Sequence, residues 1–238
     1  MLQMTKAQNS GRQSLPMAPA NDAAPGGLDA HMVARAYRPH ELVCAQGEPA
    51  TEVFQVRRGV LKVYKLTPDG RRQIVGFLGE GDFLGLIGDA EYPCSAEAVT
   101  EAVVGRLSIA RLEQLVERSP MLSRRLLSVA RREVANAQEQ MLLLGRMSPL
   151  ERLASFLLRQ SQAAGDRGES TESLALPMSR LDIADHLGLT IETVSRSFTK
   201  LRKARIIDLP HAARVVVRDA DRLADLASGD EDCLQRAA

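Results

Sequence analysis

Residues 179–205 carry the pattern that most constrains the fold, because their sequence SRLDIADHLGLTIETVSRSFTKLRKAR predicts two short helices joined by a tight turn. Ser179 and Asp182 have the spacing of a capping box at the start of the first helix. Gly188 follows that helix and can end it in a left-handed conformation without a steric penalty. Thr190 can then cap a second helix over 191–205.

Both helices have an apolar face at helical spacing, which we expect to point into a core. In the first helix this face consists of Leu181, Ala184 and Leu187, and in the second of Ile191, Val194, Phe198 and Leu201. The second helix also has a polar face, formed by Glu192, Ser195, Arg196 and Thr199. Its only acid is Glu192, against the basic residues Arg196, Lys200, Arg202, Lys203 and Arg205. This charge favours a helix-turn-helix that binds duplex DNA over a plain helical hairpin with a solvated polar face.

Composition sets the class of protein. With 238 residues, 45% of them hydrophobic, the chain can form two small domains, and it contains no apolar run of the roughly 20 residues that a membrane helix needs. The three cysteines, which are far apart, form neither a disulfide framework nor a zinc site, and no signal peptide opens the chain. We therefore expect a cytoplasmic protein. The net charge of +1 does not argue against DNA binding, because the basic footprint is local.

The N-terminal half contains two segments that differ in composition and in hydrophobic pattern. Residues 1–35 are rich in small and polar residues and are predicted to be a disordered arm. Residues 36–118 contain short β segments, such as 53–56, 59–66 and 73–78, separated by turns. This pattern predicts a small antiparallel barrel or roll.

A long helix is predicted over 119–147, where Ser119 and Pro120 form a helix start. Apolar residues recur in it at alternating steps of three and four: Leu127, Ala130, Val134, Ala137, Met141 and Leu144. So narrow a seam favours a two-stranded coiled coil with a second copy of the chain. The alternative is a helix that packs on its own barrel.

A third domain is predicted over 148–228, because the sequence Ser-Pro-Leu-Glu at 148–151 has both a capping box and a proline at the first helical position. The helix-turn-helix follows, and then a hairpin over 206–218, which is a candidate wing. A short helix over 219–227 precedes a C-terminal tail at 229–238.

The order of barrel, long helix and winged helix-turn-helix resembles the CRP/FNR superfamily of bacterial transcription regulators. Two segments carry the resemblance: GEGDFLG at 79–85, which is similar to the barrel motif, and LGLTIETVSR at 187–196, which is similar to the recognition helix. The resemblance implies an α+β fold with an N-terminal β-roll like a cyclic-nucleotide-binding domain, a long dimerisation helix and a C-terminal winged helix-turn-helix. The run MLLLGRMSPLERLASFLL at 141–158 is similar to FixK-type activators of low-oxygen genes.

The resemblance also implies roles for individual residues. Glu192, Ser195 and Arg196 fall on the base-contacting positions of the superfamily, in the form that reads TTGA half-sites, and Ile191 is placed near a thymine methyl. Arginine reads guanine and glutamate accepts from cytosine in the major groove. The complete predicted DNA-binding set is Arg180, Ile191, Glu192, Thr193, Ser195, Arg196 and Lys200.

Departures from the superfamily exclude its known ligands. Cyclic-nucleotide binders have a glutamate and an arginine where this chain has Leu86 and Cys94. The iron–sulfur members need clustered N-terminal cysteines, whereas residues 1–43 contain none. No histidine lies between positions 41 and 118, and no catalytic motif is present, so we expect neither a metal, nor a cofactor, nor an enzyme.

Together these observations predict a homodimeric transcription regulator, an activator of low-oxygen, respiratory or nitrogen-fixation genes that binds palindromes of the form TTGA-N6-TCAA. Its expected partners are double-stranded DNA, a second copy of the chain and RNA polymerase. The alternative keeps the fold and the DNA binding, but gives the barrel an unrecognised effector such as haem with nitric oxide or a small organic ligand.

Overall fold

The computed structural model describes residues 28–86 and 90–234. In them, the N-terminal strands form two antiparallel sheets that pack into a roll, ordered β1-β8-β3-β6 and β2-β7-β4-β5. The strands are β1 (Val33–Tyr37), β2 (Leu42–Cys44), β3 (Glu52–Arg58), β4 (Leu61–Leu66), β5 (Arg72–Leu78), β6 (Phe83–Leu84), β7 (Ser95–Ala98) and β8 (Ala102–Ser108). Tyr37, Phe54, Val56, Leu61 and Val104 lie in the core between the sheets.

Regular structure is present at 28–35, where the sequence predicts disorder. Leu28–His31 forms a short 3₁₀ helix, and β1 pairs with β8 in antiparallel register. Leu28 and Met32 are buried against Val53 and Leu107, because strand pairing holds this segment over the outer face of the roll. The disordered arm predicted over 1–35 is therefore wrong for residues 28–35, and residues 1–27 lie outside the described part.

Two helices follow the roll. The first, α1 (Ile109–Arg118), begins after Ser108, whose hydroxyl accepts from the Arg111 amide. This helix lies within 36–118, where only a roll is predicted. The second, α2 (Pro120–Arg146), begins as predicted, with Ser119 as its cap and proline at the first helical position. Leu122 and Leu126 of α2 pack against the cluster that α1 forms with the roll.

The C-terminal domain is a helical core with a small antiparallel sheet. It contains α3 (Pro149–Asp166), β9 (Ser173–Ala175), α4 (Arg180–Leu187), α5 (Ile191–Lys203), β10 (Ile207–His211), β11 (Arg214–Val217) and α6 (Ala220–Ala227). The predicted wing is the β10–β11 hairpin, and β9 pairs with β11 as a strand that the sequence did not predict. The predicted α+β order of roll, long helix and winged helix-turn-helix is confirmed. Within the described residues, no helix is both long and apolar enough to cross a membrane.

His186 is buried where α4 meets the roll. Its Nδ1 lies 3.1 Å from the carbonyl oxygen of Ile74 in β5, and its ring contacts Phe77 and Phe156 edge-on. Since a carbonyl only accepts, the neutral ring carries its proton on Nδ1 and donates it to Ile74. Burial is the main reason that the pKa of His186 falls to about 4; the bond to Ile74 opposes this effect and the charge of Arg159 adds to it.

We expect this histidine to make the folded chain sensitive to mild acid. The unfolded chain binds a proton near the ordinary pKa of 6.5 and the folded chain only near 4, so stability is complete above 6.5 and is lost as the pH falls towards 4. The free energy of unfolding should drop by about 2 kcal/mol between pH 7 and pH 5 from this group. Urea titrations of the wild type and His186→Phe at both pH values measure it.

The control for that measurement is His211→Gln, because His211 is exposed in the wing. In His211→Gln the free energy of unfolding should fall between pH 7 and pH 5 by as much as in the wild type. In His186→Phe it should fall by about 2 kcal/mol less over the same interval. An equal loss in all three proteins would show that His186 does not titrate between these pH values.

Candidate nucleic-acid interface

The turn between α4 and α5 is built by the local contacts that the sequence predicts. The Ser179 hydroxyl accepts from the Asp182 amide at 3.0 Å, and the Asp182 carboxylate accepts from the Ser179 amide at 3.2 Å. Gly188 has the left-handed backbone, with φ 62° and ψ 41°, and its amide donates to the Ala184 carbonyl. The Thr190 hydroxyl accepts from the Thr193 amide at 3.2 Å and so starts α5. These contacts fix α5 relative to α4.

Most of the predicted apolar face is in the core, with two exceptions. Ala184, Leu187, Val194, Phe198 and Leu201 are buried.

Leu181 and Ile191 are exposed by 49% and 40%, which corrects their assignment to the core. Each lies in the first turn of its helix, where the side chain leans towards the N-terminus and beyond the packed turns. The exposure of Ile191 is compatible with the apolar base contact predicted for it.

The opposite face of α5 is open. Glu192, Ser195, Arg196, Thr199 and Lys200 are exposed, and a shallow depression is lined by Ser195, Arg196, Thr199, Lys200 and Lys203. The hydroxyls of Ser195 and Thr199 donate to the carbonyls of Ile191 and Ser195 at 2.8 and 3.0 Å. Because their protons are used within the helix, both hydroxyls present acceptor lone pairs outwards.

Glu192 is held in its charged form. Its own backbone amide, the Thr190 hydroxyl and the charge of Arg196 one turn later lower the pKa of the Glu192 carboxyl. A carboxylate can only accept hydrogen bonds, whereas the guanidinium of Arg196 can only donate them. The first turns of α5 therefore present a hydrogen-bond acceptor, the Glu192 carboxylate, beside a group of donors, the Arg196 guanidinium. Further positive charges lie along the same helix. This is the arrangement that reads the edges of a base pair.

Arg180 and Thr193, also in the predicted DNA-binding set, have roles inside the domain. The guanidinium of Arg180 lies 3.6 Å from the centre of the Phe198 ring and donates to the Ala212 carbonyl in the wing at 3.4 Å. Burial lowers the pKa of Arg180. Arg180 thus connects α4, α5 and the wing through a cation–π contact and a hydrogen bond. Thr193 is half-buried beside the Thr190 cap.

The predicted seam on α2 is largely uncovered in the single chain. Leu127, Val134 and Met141 are exposed by 53%, 54% and 66%. Ala137 is also exposed, and Ala130 is half-buried. Leu144 differs from the rest, because it packs against the core of the C-terminal domain.

The side of α2 that touches its own roll carries different residues, Leu122 and Leu126. A helix buried on its own barrel would instead cover the seam, so the exposure argues against that alternative and favours a second copy. Met121 and Leu142 are further exposed apolar residues of α2, which the seam pattern did not include.

Leu86 and Cys94, the residues predicted to replace the ligands of a cyclic nucleotide, both pack against apolar clusters of the roll. Leu86 packs against the cluster that contains Leu28 and Val53, and Cys94 packs against the core between the two sheets. Burial raises the pKa of the Cys94 thiol, so it stays neutral.

The glycine-rich motif before Leu86 forms a turn. The amide of Gly79 donates to the Asp82 carboxylate at 2.8 Å, and the amide of Gly81 donates to the Val56 carbonyl at 2.8 Å. Gly85 has a φ of +80°, and a side chain there would meet the Glu52 carbonyl. The motif's glycines thus serve the backbone of the roll. Among the residues that the structure describes, no cluster of three metal-ligating side chains occurs.

The contact between α4 and the roll is not predicted by the sequence. Lys62 and Arg72 reach Asp182 across 120 and 110 positions of the chain. A single sequence gives no signal at such separations, because each residue alone resembles an ordinary surface charge.

Two domain families match the chain. Residues 34–119 match the cyclic nucleotide-binding domain, and residues 151–226 match the Crp-like helix-turn-helix domain. The first match covers the roll and α1, and the second covers α3 through most of α6.

Characterised relatives share both parts. The chain is 42% identical over 188 residues to the nitrogen fixation regulation protein FixK of Bradyrhizobium diazoefficiens, covering 79% of each chain. It is 41% identical over 189 residues to the transcriptional activatory protein AadR of Rhodopseudomonas palustris, covering 79% of this chain and 76% of that protein. The solved structure of FixK2 from Bradyrhizobium japonicum aligns with a TM-score of 0.77 and 37% identity, over 82% of this chain and 96% of that one.

Proposed function

Because the chain belongs to the FixK-like group of the CRP/FNR superfamily and is a DNA-binding transcriptional regulator, we propose that it binds palindromes of the form TTGA-N6-TCAA as a homodimer. The observation that carries this proposal is the open face of α5. There a charged Glu192 and an exposed Arg196 stand one turn apart at the start of the helix. Arginine binds guanine and glutamate binds cytosine, which suits the G·C pair of TTGA.

The proposed dimer forms along α2. Leu127, Val134 and Met141 give an exposed apolar stripe at a spacing of seven residues, which is the repeat of a two-stranded coiled coil. Two copies joined there would present two recognition helices to successive major grooves about one helical turn apart.

We further propose that the protein activates genes used at low oxygen, and that it does so by contacting RNA polymerase. Its relatives support activation in the case of AadR, which is named a transcriptional activatory protein, and nitrogen fixation in the case of FixK. In this proposal the protein is a regulator without a catalytic step. Chromatin immunoprecipitation under low and high oxygen tests it: TTGA-N6-TCAA sites should be enriched, and their genes should lose expression when the protein is deleted.

We expect cyclic AMP to leave DNA binding unchanged. A neutral thiol at position 94 and an alkyl group at position 86 cannot replace the charge-assisted contacts that a cyclic phosphate and a ribose hydroxyl require. Calorimetric titration up to about 0.1 mM nucleotide should give no heat of binding. The dissociation constant would then exceed about 0.1 mM, which corresponds to a binding free energy weaker than about −5.5 kcal/mol. A cyclic-AMP-binding member of the superfamily is the positive control. Micromolar binding would show that other groups of the roll form a nucleotide site.

A further inference from the structure

An ionic cluster joins α4 of the DNA-binding domain to the β4–β5 hairpin of the roll. The ammonium of Lys62 lies 3.0 Å from the Glu97 carboxylate in β7 and 3.3 Å from that of Asp182 in α4. The guanidinium of Arg72 lies 3.0 Å from Asp182 and 2.8 Å from Asp185. We call these five residues the interdomain cluster.

The interdomain cluster is shielded from water at its centre. The side chain of Lys62 is 5% exposed, and that of Asp182 is 10% exposed. Although burial alone would raise it, the pKa of Asp182 is lowered by hydrogen bonds from Ser179 and by the charge of Lys62. Buried charges are costly to separate, because each partner left alone loses both its hydration and its counter-charge. The two domains are therefore held in one relative position.

Neutral hydrogen bonds at the same junction add to this restraint. The carbonyl of His186 accepts from the side-chain amide of Gln73 in β5 at 3.4 Å and from that of Gln140 in α2 at 2.9 Å. The roll, α2 and α4 thus meet at one point.

The covalent connection between α2 and α3 is short. Only Met147 and Ser148 separate the two helices, and both have extended backbone. Such a link can act as a hinge unless other contacts fix it. The guanidinium of Arg152 in α3 braces this link by donating to the carbonyls of Leu144 and Met147, and Leu143 of α2 is buried in the C-terminal core. The interdomain cluster adds an ionic restraint between α4 and the roll, and it leaves the polar face of α5 open.

We propose that Lys62 and Arg72 are positioning residues for DNA binding, which fix the angle between each helix-turn-helix and α2 and thereby set the half-site spacing that the dimer accepts. This inference rests on the proposed function, since it requires a dimer that reads two half-sites. Neither residue touches DNA in this role. Their effect is preorganisation. Because the angle is already fixed in the free protein, DNA binding does not have to order the two DNA-binding domains at one half-site spacing.

The role predicts a specific defect. Without the interdomain cluster each DNA-binding domain loses the ionic part of its restraint, so its orientation should vary more and the dimer should accept spacings that the wild type rejects. Affinity for a single half-site, which needs only the contacts of one α5, should change only through the general effect of the altered charge.

The test compares palindromes whose half-sites are separated by five, six or seven base pairs. The variants are Arg72→Asp, Asp185→Arg and the double exchange, and binding is measured by fluorescence anisotropy with full-length protein. The matched control is Arg71→Asp, because Arg71 is the neighbouring residue, is 83% exposed and pairs only with Asp69 of its own turn among the described residues.

We expect the wild type and Arg71→Asp to prefer the six-base-pair spacing by roughly tenfold or more. Arg72→Asp should bring that preference down to about threefold or less, and so should Asp185→Arg. The double exchange should restore part of it, because opposite charges face each other again at positions 72 and 185 while the contact of Arg72 with Asp182 stays lost. Ratios between spacings cancel the general effect of added or removed charge on DNA affinity.

Different failures have different meanings. If the wild type does not prefer TTGA palindromes over unrelated DNA, the proposed function fails. If the wild type has a spacing preference and Arg72→Asp keeps it, the positioning role is wrong. Circular dichroism and thermal melting check that each variant is folded, and if Arg72→Asp does not fold, the neutral Arg72→Gln and Lys62→Met take its place with the same expected loss of preference.

Discussion

Val134→Asp is expected to convert the proposed dimer into monomers and to abolish specific DNA binding. Val134 is exposed in the middle of the α2 stripe, so aspartate can be accommodated in the single chain without strain. In a coiled coil the two copies would place two carboxylates against each other in an apolar seam. That costs several kcal/mol unless the groups are protonated. Sedimentation equilibrium measures the change in mass, and circular dichroism shows whether the domains remain folded.

Ala135→Asp is the matched control for this variant. It introduces the same side chain one position along α2, at an exposed residue off the seam, so it carries the same charge and the cost of an aspartate inside a helix. Ala135→Asp should remain dimeric and bind DNA as the wild type does. A dimeric Val134→Asp would show that the exposed stripe is not the interface, and that another surface joins the two copies.

Arg196→Ala should have the largest effect among substitutions on the exposed face of the recognition helix. If its guanidinium binds the guanine of TTGA with two hydrogen bonds, the loss should be about 1–3 kcal/mol per half-site, and discrimination at that base should disappear. Because the proposed dimer would read two half-sites, the total loss is expected to be about twice as large. A binding-site selection with the wild type and the variant measures both affinity and base preference.

Three other substitutions separate base contacts from phosphate contacts. Glu192→Ala should relax the preference at the cytosine opposite the guanine or at its neighbour, with a smaller loss of affinity, because it also removes a negative charge near the phosphates. Lys200→Ala and Lys203→Ala, if they contact only the backbone, should weaken all sequences alike and flatten the dependence on salt. If Arg196→Ala selects TTGA as sharply as the wild type, Arg196 does not read the guanine and the predicted readout is wrong.

Local interactions explain why the helix-turn-helix was predictable. Ser179, Asp182, Gly188 and Thr190 act on backbone groups within four positions of themselves, so their types and spacing specify the turn without reference to the rest of the chain. The same is true of Ser119 and its proline at the start of α2.

Features that depend on distant residues were not predictable. The periodicity of α4 and α5 gives a direction for each side chain, but whether Leu181 and Ile191 are covered depends on what packs beyond the first turn. Strand β9 has three residues and exists because β11 pairs with it. The interdomain cluster joins residues more than a hundred positions apart, and its members carry charges that are ordinary for a surface.

Lys62 limits how freely the two halves of this protein can be exchanged between relatives. In an isolated roll its ammonium would be hydrated, and in the whole chain it is neutralised by Glu97 and Asp182. A chimaera that kept this roll but had an apolar residue at position 182 would bury the ammonium with half of its counter-charge missing. Asp182 is also the reciprocal partner of Ser179 in the capping box. One substitution at position 182 would therefore weaken both the start of α4 and the contact of the grafted domain with the roll. A chimaera that takes its DNA-binding domain from a relative would therefore need the β4–β5 hairpin and α4 to come from the same protein.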